Sequence, residues 1–134
     1  MIVNNSPVSV LEAAQYSPLT LAYLGDCVYE MYVRERLLLR ANTSNGKLHD
    51  MAKHYVSASG QSRAVDLLHP LFTKEEESVF RRGRNSCAVP NKNNDIGQYH
   101  AATGLEALFG YLYLTGQNQR LEEFIGRIFE DFGV

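Results

Sequence analysis

Apolar residues recur along this chain at helical spacing, and the strict apolar–polar alternation of a half-buried strand is nearly absent. Ser17-Pro18 supplies an N-cap followed by proline at the first helical position, where no backbone N–H is needed. From Pro18 to about Arg40 no glycine or proline intervenes except Gly25, which predicts a helix of roughly 34 Å, long enough to cross a whole domain. Thr43 or Ser44 can cap a second helix that reaches toward Leu68, bent near Gly60 and stopped by Pro70. Thr73-x-x-Glu76 reads as a capping box. The helix it opens carries Glu75, Glu76 and Glu77 in its first turn and Arg81 and Arg82 in its last, as the helix dipole favours. Residues 85–94 are a polar, proline-containing loop. A fourth helix runs from about Asp95 to Leu114, and a fifth from Asn118 to Phe132 aligns Leu121, Phe124, Ile125, Ile128 and Phe129 on one face. The pattern predicts an all-α helical bundle: one domain over residues 1–134, with its core between about 17 and 132.

Two stretches depart from ordinary amphipathic patterning. LTLAYLGDCVY, residues 19–29, has Asp26 as its only charge, and AATGLEALFGYLYL, residues 101–114, has only Glu106. Both read as apolar around most of the helix, which predicts burial. An ionised carboxylate there costs several kcal/mol unless it is paired or holds a metal. No Lys or Arg lies in either stretch, and Glu30, one turn beyond Asp26, adds like charge to the same face. Acids gathered without cations suit a hard divalent ion such as Mg²⁺. The plainer alternative is that one acid sits at an exposed edge or meets a distant arginine. Gly25, beside Asp26, and Gly104, Ala107 and Gly110, around Glu106, argue for the site. Glycines in helix interiors cost about 1 kcal/mol each, and their usual compensation is the close approach of another helix.

Composition narrows the class. At 134 residues, 45% hydrophobic and 21% charged, the chain is neither disordered nor fibrous, and its length suits one domain. It holds no apolar run long enough to span a membrane, and MIVNNSPVSV lacks the basic start and apolar core of a signal peptide, so a cytoplasmic location is expected. Cys27 and Cys87 are too few for a disulfide framework or a zinc cluster; Cys27 is expected to pack and Cys87 to be an accessible thiol. His49, His54, His69 and His100 show no ligand or general-base spacing. The net charge of −2 argues, at face value, against a nucleic-acid partner. Its distribution argues otherwise: residues 1–30 carry −3, residues 31–92 carry +5, and residues 93–134 carry −4. The basic middle includes RRGRN, residues 81–85, and Lys92. Arginines there suit phosphate oxygens, although last-turn residues complementing a helix dipole would look the same.

LAYLGDCVYE, residues 21–30, resembles the signature of ribonuclease III, with its L-G-D core, and ATGLEALFGYLYL, residues 102–114, resembles that family's second acidic motif. With RRGRN between them, the order and spacing are similar to the short Mini-ribonuclease III branch, which lacks a double-stranded-RNA-binding domain. The resemblance covers about Ser17 to Phe132. It implies a homodimeric all-α endonuclease that cleaves double-stranded RNA with Mg²⁺, leaves 5′-phosphate and 3′-hydroxyl ends, and matures the precursor of 23S ribosomal RNA. By position, Asp26 and Glu106 are then the catalytic, metal-holding carboxylates, and Arg81, Arg82, Arg84, Asn85 and Lys92 face RNA. Three acids of full-length ribonuclease III are replaced here by Leu19, Ala22 and Thr103, which leaves the number of metal ions open. Glu30 and Thr103 are candidates for outer-shell contacts. So short a domain has little surface for reading sequence, which suggests a large-subunit ribosomal protein as a partner in selecting the RNA.

Two other classes fit the same residues less well. One is a non-catalytic RNA-binding module on this fold, disfavoured by the presence of both Asp26 and Glu106. The other is an all-α Mg²⁺-dependent nucleotide hydrolase, which would need paired acids on one helix; Glu75–Glu77 is accounted for by capping. Cleavage assays with duplex RNA beside nucleoside triphosphates separate the three.

Overall fold

In a computed structural model, residues 3–86 and 95–133 are described, and among them every regular element is helical. The helices are α1 (Val10–Ala13), α2 (Pro18–Arg40), α3 (Asn45–Val56), α4 (Ala58–Leu68), α5 (Lys74–Asn85), α6 (Ile96–Leu114) and α7 (Asn118–Phe132), with a single 3₁₀ turn at His69–Leu71. Helix α6 is the axis of the bundle. Its residues Leu105, Ala107, Leu108, Phe109 and Leu112 are fully enclosed, with α2, α5 and α4 packed around it. From Ala102 to Leu112 the helix is buried but for the half-buried Glu106, and this part is apolar on nearly every side, as its sequence predicts.

The helix ends lie where the caps place them. Ser17 Oγ accepts from the Thr20 N–H at the start of α2, and Asp95 Oδ1 accepts from Gln98 N at 2.9 Å to open α6. Both halves of the Thr73–Glu76 capping box form. The buried Glu76 also receives Arg120 through Nε and Nη2, both at 2.8 Å, while Nη2 donates to the Leu71 carbonyl at 2.7 Å. That fork ties the start of α5 to α7 and fixes the direction in which α5 leaves.

Four expectations need correction. The helix predicted from Ser44 to Leu68 is two helices, and the break falls at Ser57, not Gly60. Ser57 is extended (ψ 160°), ends α3, and caps α4 through Oγ to Gly60 N. Gly60 serves packing instead: a Cβ there would lie 2.3 Å from the His54 carbonyl oxygen, so only glycine lets α4 begin so close to the end of α3. Second, α5 runs through Asn85, so Arg84 and Asn85 belong to the helix and not to the loop. Third, α2 is not enclosed all round; Leu19, Tyr23 and Met31 are exposed, as are Asp26 and Cys27. Cys27 therefore does not pack within the chain, because it shares the uncovered face. Fourth, Glu30 does not add unrelieved repulsion, since Arg34 meets it at 3.3 Å one turn on. Cys87 and Lys92 lie outside the described residues.

Candidate active site

The site begins with two glycines. A Cβ on Gly25 would stand 1.6 Å from the Glu106 carbonyl oxygen, and one on Gly110 would stand 2.0 Å from that of Leu21. Helices α2 and α6 thus cross backbone to backbone, which only glycine permits. The residue after Gly25 is Asp26, and the helix crossed is that of Glu106. Their carboxyl groups come within hydrogen-bonding reach of each other.

The two acids differ in surroundings. Asp26 is exposed, whereas Glu106 is half-buried. Burial raises the Glu106 pKa to about 7, a donor from Gln61 works against that rise, and the Asp26 charge and hydrogen bond add to it. Gln61 Nε2 reaches Glu106 Oε2 at 3.2 Å and the Val56 carbonyl at 3.1 Å. Neither Asp26 nor Glu106 meets a Lys or Arg among the described residues. The described residues contain no set of three or more acidic, Cys or His side chains that would cage a metal. Two carboxylates at an open edge fit Mg²⁺, which keeps most of its waters and takes phosphate oxygens as further ligands. They do not fit a closed structural metal site.

The other sequence candidates divide. Glu30 is drawn toward Arg34. Thr103 is buried with Oγ1 donating to the Tyr99 carbonyl at 3.1 Å, so its hydroxyl is spent on its own helix. Gly83 packs where a Cβ would lie 2.7 Å from Ala107 Cβ, which sets RRGRN against α6 beside Glu106. The small residue at 83 thus serves helix packing, and not the approach of a ligand to the backbone. Arg81, Arg82 and Asn85 are exposed. Arg84 lies over the Phe80 ring at 5.6 Å, and its Nε points to Asn85 Oδ1 at 3.4 Å. Phe72, Thr73, Lys74, Ser78, Arg81 and Arg82 line an open depression of about 500 Å³ with three cations on its wall. Glu77, also there, contacts His69 and Arg81; burial opposes the effect, but those two donors hold its carboxyl below the usual range. Sequence reasoning passed over Gln61, which stands 45 residues before Glu106 in the chain.

Helices α2, α4, α5 and α7 packed around a central apolar helix, with one acid on that helix and one on its crossing partner, define an endonuclease domain of the ribonuclease III type, and the Ribonuclease III domain pattern matches residues 19–117. Among similar proteins, Mini-ribonuclease 3 of Symbiobacterium thermophilum is 51% identical, covering 79% of this chain and 82% of its own length. The Mini-ribonuclease 3 of Enterococcus faecalis is 46% identical, with 83% of this chain and 86% of its own covered. A crystal structure of a Fusobacterium nucleatum protein superposes with a TM-score of 0.81 at 25% identity, covering 92% of this chain and 98% of that one. The chain belongs to the Mini-ribonuclease 3 family of endoribonucleases.

Proposed function

We propose that this chain cleaves double-stranded RNA in a Mg²⁺-dependent reaction, with Asp26 and Glu106 as its catalytic and metal-holding carboxylates. One observation carries the reading: a helix crossing that only glycine allows presses two carboxylates together with no Lys or Arg among the described residues to neutralise them. A folded chain retains such a pair at the expense of stability, which is the mark of a site kept for chemistry.

When bound, Mg²⁺ supplies positive charge to the scissile phosphate and lowers the pKa of an attacking water. Asp26, on the open side, meets the incoming phosphodiester, and Glu106 behind it is held by Gln61. Water oxygen bonds to phosphorus as the P–O3′ bond breaks, leaving a 5′-phosphate and a 3′-hydroxyl. Arg81, Arg82, Arg84 and Asn85 bind the duplex backbone, and Lys92, outside the described residues, is proposed to take part in the same binding. A-form RNA is read chiefly by shape, phosphate and 2′-hydroxyl, which suits a strip of arginines better than a base-reading surface.

A second copy of the chain is proposed to cover the exposed face of α2. Leu19, Tyr23 and Met31 are 46%, 85% and 53% exposed at multiples of four residues, an apolar stripe that a single chain leaves in water. A homodimer joined there sets two Asp26–Glu106 pairs and two arginine strips along one duplex. The natural substrate is proposed to be the 23S ribosomal RNA precursor in the cytoplasm, with a large-subunit ribosomal protein helping to select the site. No described helix is long and apolar enough to cross a membrane.

The test is to incubate long duplex RNA with the protein and Mg²⁺ and map the ends. Wild type should leave 5′-phosphates, and Asp26→Asn should bind and fold but not cut. Cleavage by that variant at the wild-type rate would remove Asp26 from the chemistry.

A further inference from the structure

Gln61 is a buried amide whose bonding is half complete. It is 3% exposed. Both protons of its Nε2 are used, one on Glu106 Oε2 and one on the Val56 carbonyl. Its Oε1 is buried and has no hydrogen-bond partner. The orientation of the amide follows from its neighbours: both are acceptors, so the nitrogen must face them and the oxygen must turn away. An orphaned buried acceptor costs roughly 1–3 kcal/mol, so the amide is held in this orientation for what its nitrogen does.

The frame around Gln61 is rigid. Ser57 caps the helix that carries it, and Gln61 N donates to the Ser57 carbonyl at 2.9 Å. Gly60 locks that helix start against α3, and the Tyr29 hydroxyl braces the Tyr55 carbonyl at 2.9 Å from the α2 side. The amide therefore cannot swing to find another donor. Glutamine also suits the place chemically. It donates to Glu106 without adding a charge, where a glutamate would bring a third negative group and no donor.

We propose that Gln61 is a positioning residue of the carboxylate pair: by donating from Nε2 it fixes the rotation of the Glu106 carboxylate, so that Glu106 is set, with Asp26, for the divalent cation the pair would hold. A contact that orients a ligating carboxylate is part of what sets the affinity of a metal site. The proposal rests on the reading of Asp26 and Glu106 as the metal site.

The experiment uses the full chain with Mg²⁺ and, separately, Mn²⁺. Thermal unfolding is followed against metal concentration, alongside kcat and KM on duplex RNA. Gln61→Leu should fold, with a melting temperature in EDTA only a few degrees below that of wild type, because the Val56 carbonyl and Glu106 lose a donor while the orphaned oxygen goes with the amide. The metal concentration at half of the thermal shift should rise about 10- to 100-fold, the usual effect of losing an outer contact to a metal site. On RNA, kcat should fall while KM stays. Gln61→Met, which keeps the length without the amide, replaces the leucine variant if the latter does not fold. A folded variant with an unchanged metal midpoint overturns the proposal, as does a loss of melting temperature in EDTA without a shift of that midpoint, which would mark a purely structural glutamine. If wild type itself shows neither metal-dependent stabilisation nor cleavage, it is the metal-site reading that fails.

Discussion

Replacing Glu106 with glutamine should make the protein more stable and inactive at once, and the gain should depend on pH. Burial and the neighbouring Asp26 raise the Glu106 pKa from 4.5 to about 7. The native state therefore holds this proton more tightly than the unfolded chain does. Below pH 4.5 both states are protonated and Glu106 costs nothing. As pH rises from 4.5 to 7, the unfolded chain ionises first and native stability falls; above 7 the whole penalty is present. At 1.36 kcal/mol per pKa unit, that penalty is on the order of 3 kcal/mol. Glu106→Gln removes it, so the variant should gain on the order of 3 kcal/mol, or roughly 10 °C in melting temperature, at pH 8 in EDTA. At pH 4.5 the two proteins should melt together. The assay is urea or thermal unfolding followed by circular dichroism at both pH values without metal. Adding Mg²⁺ at pH 8 should then raise the melting temperature of wild type but not that of the variant. A variant no more stable than wild type at pH 8, or equally stabilised at both pH values, would refute the account of a carboxylate held against its preference.

Four further outcomes follow from other parts of the molecule. Arg82→Ala should weaken duplex RNA binding and reduce the slope of log K against log salt by about 0.7–1, one phosphate contact's worth of counterion release; an unchanged slope would leave Arg82 as a last-turn residue serving the helix dipole. Tyr23→Asp should sediment as a monomer while remaining folded, since Tyr23 is 85% exposed within one chain and exposed substitutions shift stability by about 0.5 kcal/mol at most; a dimer that persists would place the interface elsewhere. Gly25→Ala should cost ~3 kcal/mol or more, because the new methyl would overlap the Glu106 carbonyl. Gly126→Ala, with nothing within 4 Å of its Cβ position, should gain about 1 kcal/mol from helix propensity, and denaturant midpoints of the two variants compare them directly.

The parts of this fold legible in the sequence are those governed by contacts a few residues apart. Ser17-Pro18, the Thr73–Glu76 box and Asp95 each mark a helix start because a cap bonds to a backbone N–H three positions on. The meeting of Asp26 and Glu106 was legible for a rarer reason: Gly25 and Gly110 are costly in helix interiors, and a second helix had to supply the compensation. Ser57 was harder to read, since a serine that ends one helix and caps the next looks like any polar residue inside a long helix. Gln61 left no trace at all, because its importance lies in a contact 45 residues away.

The exposed stripe on α2 misled for a different reason, and that reason bears on function. Periodicity reports that a helix face is apolar but does not report what covers it. Leu19 and Tyr23 belong to a stretch that reads as buried, yet within one chain they and Met31 stand in water and Asp26 stands with them. On α6 the same kind of pattern is enclosed. The two acids therefore sit at a boundary, Glu106 facing the interior of the chain and Asp26 facing the side on which the proposed second chain and the RNA would arrive. A pair so divided has one carboxylate hydrogen-bonded by Gln61 and the other exposed, as the proposed encounter with a phosphate requires. The local rules of folding fail at Glu106, Gln61 and the α2 face together, and such failures concentrate where stability has been given up for chemistry or assembly.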